Sequence, residues 1–252
     1  MSKKPSVDMF YDIRTGKYPL KIGTRFVPLS SGDAELHLRA TGISNKDYTA
    51  DGFKETEKAF LVCQQERSVD FSAPLSGHAA GPFLTPDGRR VLVTSSPTLP
   101  QAKRGAWPAF RSVLNQLLGN QQDRFVGWLK ASLVSLERRD FRPGQLLVFA
   151  GEPNCGKSFL QWCITQCFGG RSADPLLWLR GETKFNDELA IAEHWCIEDP
   201  GSATRADVRR NFGDAIKRAV INRDLMIHGK GKAGITLPIW RRLTLSVNGE
   251  AE

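Results

Sequence analysis

No apolar run in the sequence approaches the ~20 residues needed to span a bilayer, and Met1-Ser-Lys-Lys-Pro5 is followed by no apolar h-region. Neither a membrane span nor a secretory signal is expected, which makes the cytoplasm the expected address. The five cysteines, Cys63, Cys155, Cys163, Cys167 and Cys196, are odd in number and unevenly spaced, which argues against a disulfide framework. Cys163 and Cys167 stand at the spacing of one helix face, yet no second pair of ligands lies at a usual metal-site spacing, so both read as buried thiols. Acidic residues are scarce in one place. Between Ser202 and Arg242 ten basic residues face only Asp207, Asp214 and Asp224, and this stretch carries nearly all of the net charge of +8. Such a concentration points to a polyanionic partner, nucleic acid first.

With 252 residues, 40% apolar and 25% charged, the chain has the composition of an ordinary globular protein able to bury a sizeable core. Its most informative stretch is Gly151-Glu-Pro-Asn-Cys-Gly-Lys-Ser158. It follows the apolar run Gln145–Ala150 and opens a helical pattern from Lys157 to Phe168. This is G-x-x-x-x-G-K-[ST] in a strand, loop, helix context. The loop residues Gly151, Glu152, Pro153, Asn154, Cys155 and Gly156 present successive N–H groups, and the helix N-terminus adds partial positive charge, so the segment is a seat for a polyphosphate. Lys157 is expected to reach the β and γ phosphates of ATP, and the Ser158 hydroxyl to ligate Mg²⁺.

Ahead of this loop, Gly, Pro and short apolar runs between Met9 and Leu29 predict short strands or hairpins. Ser30 caps a predicted helix from Ala34 to Arg39, Phe53–Arg67 has helical spacing, and Val69–Thr94 returns to strand texture with a turn at Pro86-Asp-Gly88. Residues 1–94 are therefore expected to form a small α+β module. A Pro-rich linker and two amphipathic helices, Phe110–Leu118 and Asp123–Glu137, fill 95–140; Trp107 and Trp128 read as core residues there. From 141 to 252 the elements alternate. Strands are predicted at Gln145–Ala150, Leu176–Leu179, His194–Asp199 and Arg242–Asn248. Helices are predicted at Lys157–Phe168, Asn186–Ala192 and Thr204–Arg223, the last behind a capping box Thr204-Arg-Ala-Asp207. Leu225–Leu237 reads as a hairpin with its tip at Gly229–Gly234. Alternation of this kind predicts an α/β fold, a parallel sheet flanked by helices with ligands at the carboxyl ends of the strands.

An apolar strand ending in Glu198 and Asp199 supplies a metal-side carboxylate and a general base for ATP hydrolysis. Glu198 is assigned the Mg²⁺ side and Asp199 the base, and the opposite assignment remains open. Asn248, at the end of another strand, offers a neutral amide to the γ phosphate or to water.

The order of these pieces resembles the superfamily 3 helicases, AAA+ relatives found in viral and phage replication proteins. GEPNCGKS corresponds to motif A, HWCIEDP to motif B, HGKGKAG to the basic hairpin of motif B′, and LTLSVN to motif C. FRPGQLLVFAGEPNCGKS, GETKFNDEL, WCIEDP and RRLTLSVNGE are similar to the helicase part of phage and plasmid primase-helicases. The resemblance covers Asp123–Glu252 and little before Gly81. It implies a P-loop NTPase core of AAA+/superfamily 3 type at 141–252, acting as an ATP-dependent helicase or translocase on single-stranded DNA in a prokaryotic or phage-infected host. It also implies a ring, usually a hexamer, with ATP between subunits, and His228, Lys230 and Lys232 tracking DNA phosphates. Family members continue past motif C, where an arginine reaches into the neighbouring site. Here the chain stops four residues after Asn248, so the expectation is either that Arg241 or Arg242 substitutes or that the core is truncated after motif C. No primase signature is present, and priming is expected from a primase or polymerase on another chain. The other expectation is a nucleotide-switched nucleic-acid-binding, defence or regulatory protein with slow turnover.

Overall fold

The computed structural model describes residues 7–198, 206–231 and 233–249. The chain divides into two units, one taking it up to Leu75 together with Ala79–Ser96, the other taking Ser76–His78 and the chain from Pro97.

The first unit opens with β1 (Tyr11–Asp12), β2 (Tyr18–Ile22) and β3 (Arg25–Leu29), then α1 (Ser31–Ala40) and α2 (Glu55–Glu66). It closes with β4 (Ser68–Val69), β5 (Phe71–Ala73), β6 (Gly81–Leu84) and β7 (Arg90–Val93). β2 and β3 form an antiparallel hairpin, as the Gly and Pro punctuation predicts. The Ser30 hydroxyl accepts from the Asp33 N–H and caps α1. Met9, Leu20, Ala34 and Leu38 pack into one core. β6 and β7 pair antiparallel around the Pro86-Asp-Gly88 turn. No predicted chemistry falls on this unit.

In the second unit α3 (Pro108–Leu118) and α4 (Gln122–Glu137) precede β8 (Leu147–Gly151), α5 (Lys157–Cys167), β9 (Ser172–Ala173) and α6 (Leu176–Leu179). Then come β10 (His194–Glu198), α7 (Ala206–Ile221), β11 (Asp224–Ile227), β12 (Ile235–Pro238) and β13 (Arg242–Asn248). The four-stranded sheet has the order β8-β13-β10-β9, and every neighbouring pair is parallel. This is the predicted mixed α/β arrangement. Leu114, Phe125, Leu136, Phe149, Leu160, Ile164, Phe168 and Trp240 join α3, α4, α5 and the sheet in one core. Each such side chain stabilises the fold by about 1.5–3 kcal/mol on burial, and Phe168 meets Trp240 edge to face, ring centres 5.3 Å apart.

Two predicted elements are corrected. Leu176–Leu179 is a single helical turn rather than a strand; the Asp174 carboxylate accepts from the Leu176 N–H and Pro175 sits ahead of the turn, while β9, just upstream, takes the place beside β10. A four-residue apolar run does not distinguish the two states by periodicity. The segment 186–192 consists of turns. Asn186 is buried and spends its side chain on the backbone of a distant strand, donating to Met226 O (2.9 Å) and accepting from the His228 N–H (2.7 Å). Such bonds compete with helix formation. Trp128 is half-buried and donates its indole N–H to Gln145 O, whereas Trp107 is exposed beneath the Arg111 guanidinium, so the core reading fails for Trp107. Cys163 and Cys167 are free thiols, half-buried rather than fully buried. The capping box ahead of α7 lies outside the described residues. Among the described residues no helix is long and apolar enough to cross a membrane.

Candidate functional site

The strand order decides what meets what. β13, far downstream in the chain, inserts between β8, which carries the glycine-rich loop, and β10, which carries the acidic end. In register, Asn248 lies opposite Gly151 and Glu198 opposite Ser246. The Gly249 N–H donates to Gly151 O at 3.1 Å. Because all these strands are parallel, their carboxyl ends share one edge, and the loop, Asn248 and Glu198 are brought to that edge from three separate parts of the sequence. Asp199 lies outside the described residues.

Within the loop, Asn154 (φ 62°) and Gly156 (φ 106°) both adopt left-handed backbone. This conformation turns successive N–H groups toward one side, the geometry of an anion nest. Gly156 is under a second constraint, since a Cβ there would stand 3.3 Å from the Leu117 side chain of α3. Lys157 opens α5, and its ammonium donates to Gly151 O (2.8 Å) and Glu152 O (2.7 Å). Glu152, Pro153, Asn154 and Cys155 are exposed, as is Ser158 on the first turn of α5. A phosphate-sized anion and its metal fit this donor set. The loop is exposed, the lysine is held by two carbonyls that an anion can replace, and a hydroxyl stands open beside it. Among the described residues no group of three or more His, Cys, Asp or Glu forms a metal cluster.

Beneath this edge lies a buried polar layer that sequence reasoning missed. Gln161, one turn into α5, donates to Thr244 Oγ1 (2.8 Å) and to Ile197 O (3.4 Å), and its Oε1 accepts from the Ser246 hydroxyl (3.1 Å). His194 stands between Thr165 Oγ1 (2.8 Å) and Thr244 Oγ1 (2.9 Å). Burial pushes its pKa down to about 3, so it serves as a neutral hydrogen-bonding bridge. The loop helix is thereby fastened to both strands that deliver Glu198 and Asn248. The signal was present in the sequence: Thr244 and Ser246 alternate with Leu243, Leu245 and Val247 on β13, and Gln161 and Thr165 share one face of α5.

The basic hairpin forms as predicted, with Ile227 paired to Ile235. Lys230 is exposed at its tip, and Lys232 lies outside the described residues. His228 sits lower, half-buried at the hairpin base. Its backbone is clipped to Asn186, and its ring lies so close that a Cβ on Gly234 would stand 2.9 Å from it. The two candidate arginine substitutes do not project. Arg241 and Arg242 are each 6% exposed. Arg241 donates to Ala219 O and Asn222 O at the end of α7, and Arg242 to Ser132 and Ser135 of α4. Desolvation pulls both pKa values down to about 10.

Comparison with solved structures places this architecture. The fold is that of the NrS-1 C-terminal region. Its apo structure (305–718) superposes with a TM-score of 0.64 at 15% identity, covering 96% of this chain and 54% of that one. The A-form apo structure of the same region gives 0.63 at 14% identity, with the same coverage. This chain therefore spans about half the length of the NrS-1 region it matches. No protein-family model matches the sequence, and no curated protein does.

Proposed function

We propose that the chain is the ATP-hydrolysing core of a replication-type translocase or helicase acting on single-stranded DNA, of the superfamily 3, phage and plasmid primase-helicase kind. One observation carries this reading: insertion of β13 between β8 and β10 sets Asn248 beside the glycine-rich loop and Glu198 one strand further along the same edge. A fold shared with the NrS-1 C-terminal region is compatible with it. The N–H groups of 151–156 and Lys157 would hold the phosphates of ATP, and Ser158 with Glu198 would hold Mg²⁺. When bound, the metal supplies charge neutralisation at the γ phosphate. Asp199 would take the proton of the attacking water, and Asn248 would orient that water by hydrogen bonding without repelling the phosphate. In this reading subunits assemble as a ring, usually hexameric, a primase or polymerase resides on another chain, and His228, Lys230 and Lys232 contact the DNA backbone.

The test is Mg²⁺-dependent ATPase with and without single-stranded DNA, on wild type and Lys157→Ala. Stimulated turnover is expected in wild type, with a loss of about two orders of magnitude in the variant. Wild-type protein that binds ATP but does not turn it over, in any oligomeric form, overturns the motor. Burial of Arg241 and Arg242 favours the second reading, a nucleotide-switched nucleic-acid-binding protein. In that case ATP alters DNA affinity while hydrolysis stays slow.

A further inference from the structure

Away from the phosphate loop, the end of α6, one face of α7 and the start of β11 enclose a groove of about 510 Å³. Trp178, Arg180, Arg218, Asn222, Asp224 and Arg241 line it, three guanidinium groups against one carboxylate. Its floor is rigid. Trp195 is fully buried, with its indole N–H on Leu189 O. Trp178 stands edge-on to Trp195 at 5.9 Å, and the Arg241 guanidinium lies over the Trp195 ring at 5.1 Å. Arg241 has a structural duty, capping the last carbonyls of α7. These carbonyls satisfy its donors without removing its charge, and no ion pair to a carboxylate is formed by Arg241 among the described residues. Capping does not account for Arg218, exposed on the rim, and Arg180 stands on the same wall with Glu182 at 3.8 Å among its partners.

We propose that this groove seats one nucleotide of a single-stranded nucleic acid, its base against Trp178 and its phosphate between Arg180 and Arg218. The chemistry is that of a sequence-tolerant strand site, an aromatic platform beside guanidinium groups that track the backbone. The volume lies within the range of small-ligand sites. A strand source is favoured over a free nucleotide by continuity. β11 borders the groove through Asp224, Leu225 and Met226, and the same strand leads through Ile227 to the hairpin carrying Lys230. A backbone leaving the groove along β11 meets the hairpin next. The inference rests on the reading that the chain engages single-stranded nucleic acid, and it adds a second, base-contacting point of attachment.

The experiment uses the 252-residue chain, an oligothymidine of roughly twenty nucleotides carrying 5-iodouracil, and fluorescence anisotropy over a salt series. Photocross-linking on the peptide containing Trp178 is expected. Arg180→Ala/Arg218→Ala should bind about tenfold more weakly and lose ~1.4 of the salt slope, two phosphate contacts at ~0.7 each, with an unchanged melting temperature. Cross-links confined to the hairpin, with the slope unchanged in the double variant but reduced in Lys230→Ala, overturn the groove and leave the hairpin reading standing. Displacement of the strand by free dTMP at equal nucleotide concentration overturns the strand assignment in favour of a mononucleotide. Absence of binding to any oligonucleotide at low salt overturns both the groove and the nucleic-acid reading.

Discussion

The glycine-rich-loop end of the sheet and the basic hairpin both present positive charge, yet they are held by different means. Beneath the loop, Gln161, His194, Thr165, Thr244 and Ser246 form a closed buried layer binding one helix to two strands. The hairpin consists of two four-residue strands packed inward through Leu225, Ile227, Ile235 and Leu237 and tied at its base by the side chains of Asn186 and His78. A buried polar layer fixes position because any displacement leaves donors unpaired in a low dielectric. The hairpin's ties all lie at its base, and Lys230 at the tip stands in solvent. The contrast fits the proposed division between a nucleotide held in fixed geometry and a strand contacted at an exposed tip.

Gln161→Leu should test the rigid side most severely. It leaves the Thr244 and Ser246 hydroxyls short of a partner and should cost about 3 kcal/mol, roughly 10 °C in melting temperature, measured by calorimetry. A change under one degree would show that the layer fixes nothing.

The same layer carries a pH signature. His194 in the unfolded chain takes up a proton near its usual 6.5, whereas the folded protein resists until about 3. Its folded pKa is depressed, so the unfolded state binds more protons across that window and stability falls as the pH drops from 6.5 toward 3. Between about pH 7.5 and about pH 5 the loss assigned to His194 is about 2 kcal/mol. Urea unfolding of His194→Gln should lack this component. His78 is lowered in the same direction by burial, and only the difference between wild type and variant isolates His194.

Asn186→Ala frees Met226 O and the His228 N–H and should cost about 1 kcal/mol, with faster amide exchange confined to 226–228. A cost equal to that of Gln161→Leu would erase the contrast between the two regions. Smallest of all, Lys230→Ala should leave stability unchanged and lower the salt slope of single-strand binding by ~0.7. An unchanged slope would remove the tip from the interface.

The parts of this architecture written in local pattern were legible in the sequence. The glycine-rich loop is set by spacing, the hairpin by its glycines, and the strand ends at Glu198 and Asn248 by apolar runs that stop at polar residues. What required the structure is long-range. Only β pairing shows that β13 stands between β8 and β10, since periodicity carries no information about neighbours. Leu176–Leu179 is too short for its period to be read, and Asn186 breaks a helical pattern by bonding to a strand forty residues away. Arg241 and Arg242 mislead for a different reason. Adjacent arginines at a strand start read as surface charge, but guanidinium groups are weakly hydrated and their donors can be satisfied by carbonyls and serines, so both are tolerated inside.

The position of β13 also has a cost in time. Among the described residues β8 pairs with β13 alone in the sheet, and about ninety residues separate Gly151 from Thr244. At ~5–20 residues per second of synthesis, the loop strand emerges roughly five to twenty seconds before its partner is made. Its edge stays open through that interval, and the contact that closes it is of the non-local, slow-forming kind. The nascent chain therefore completes the edge that carries its glycine-rich loop late, and premature release leaves β8 an unpaired edge, an aggregation hazard a cell must manage during translation.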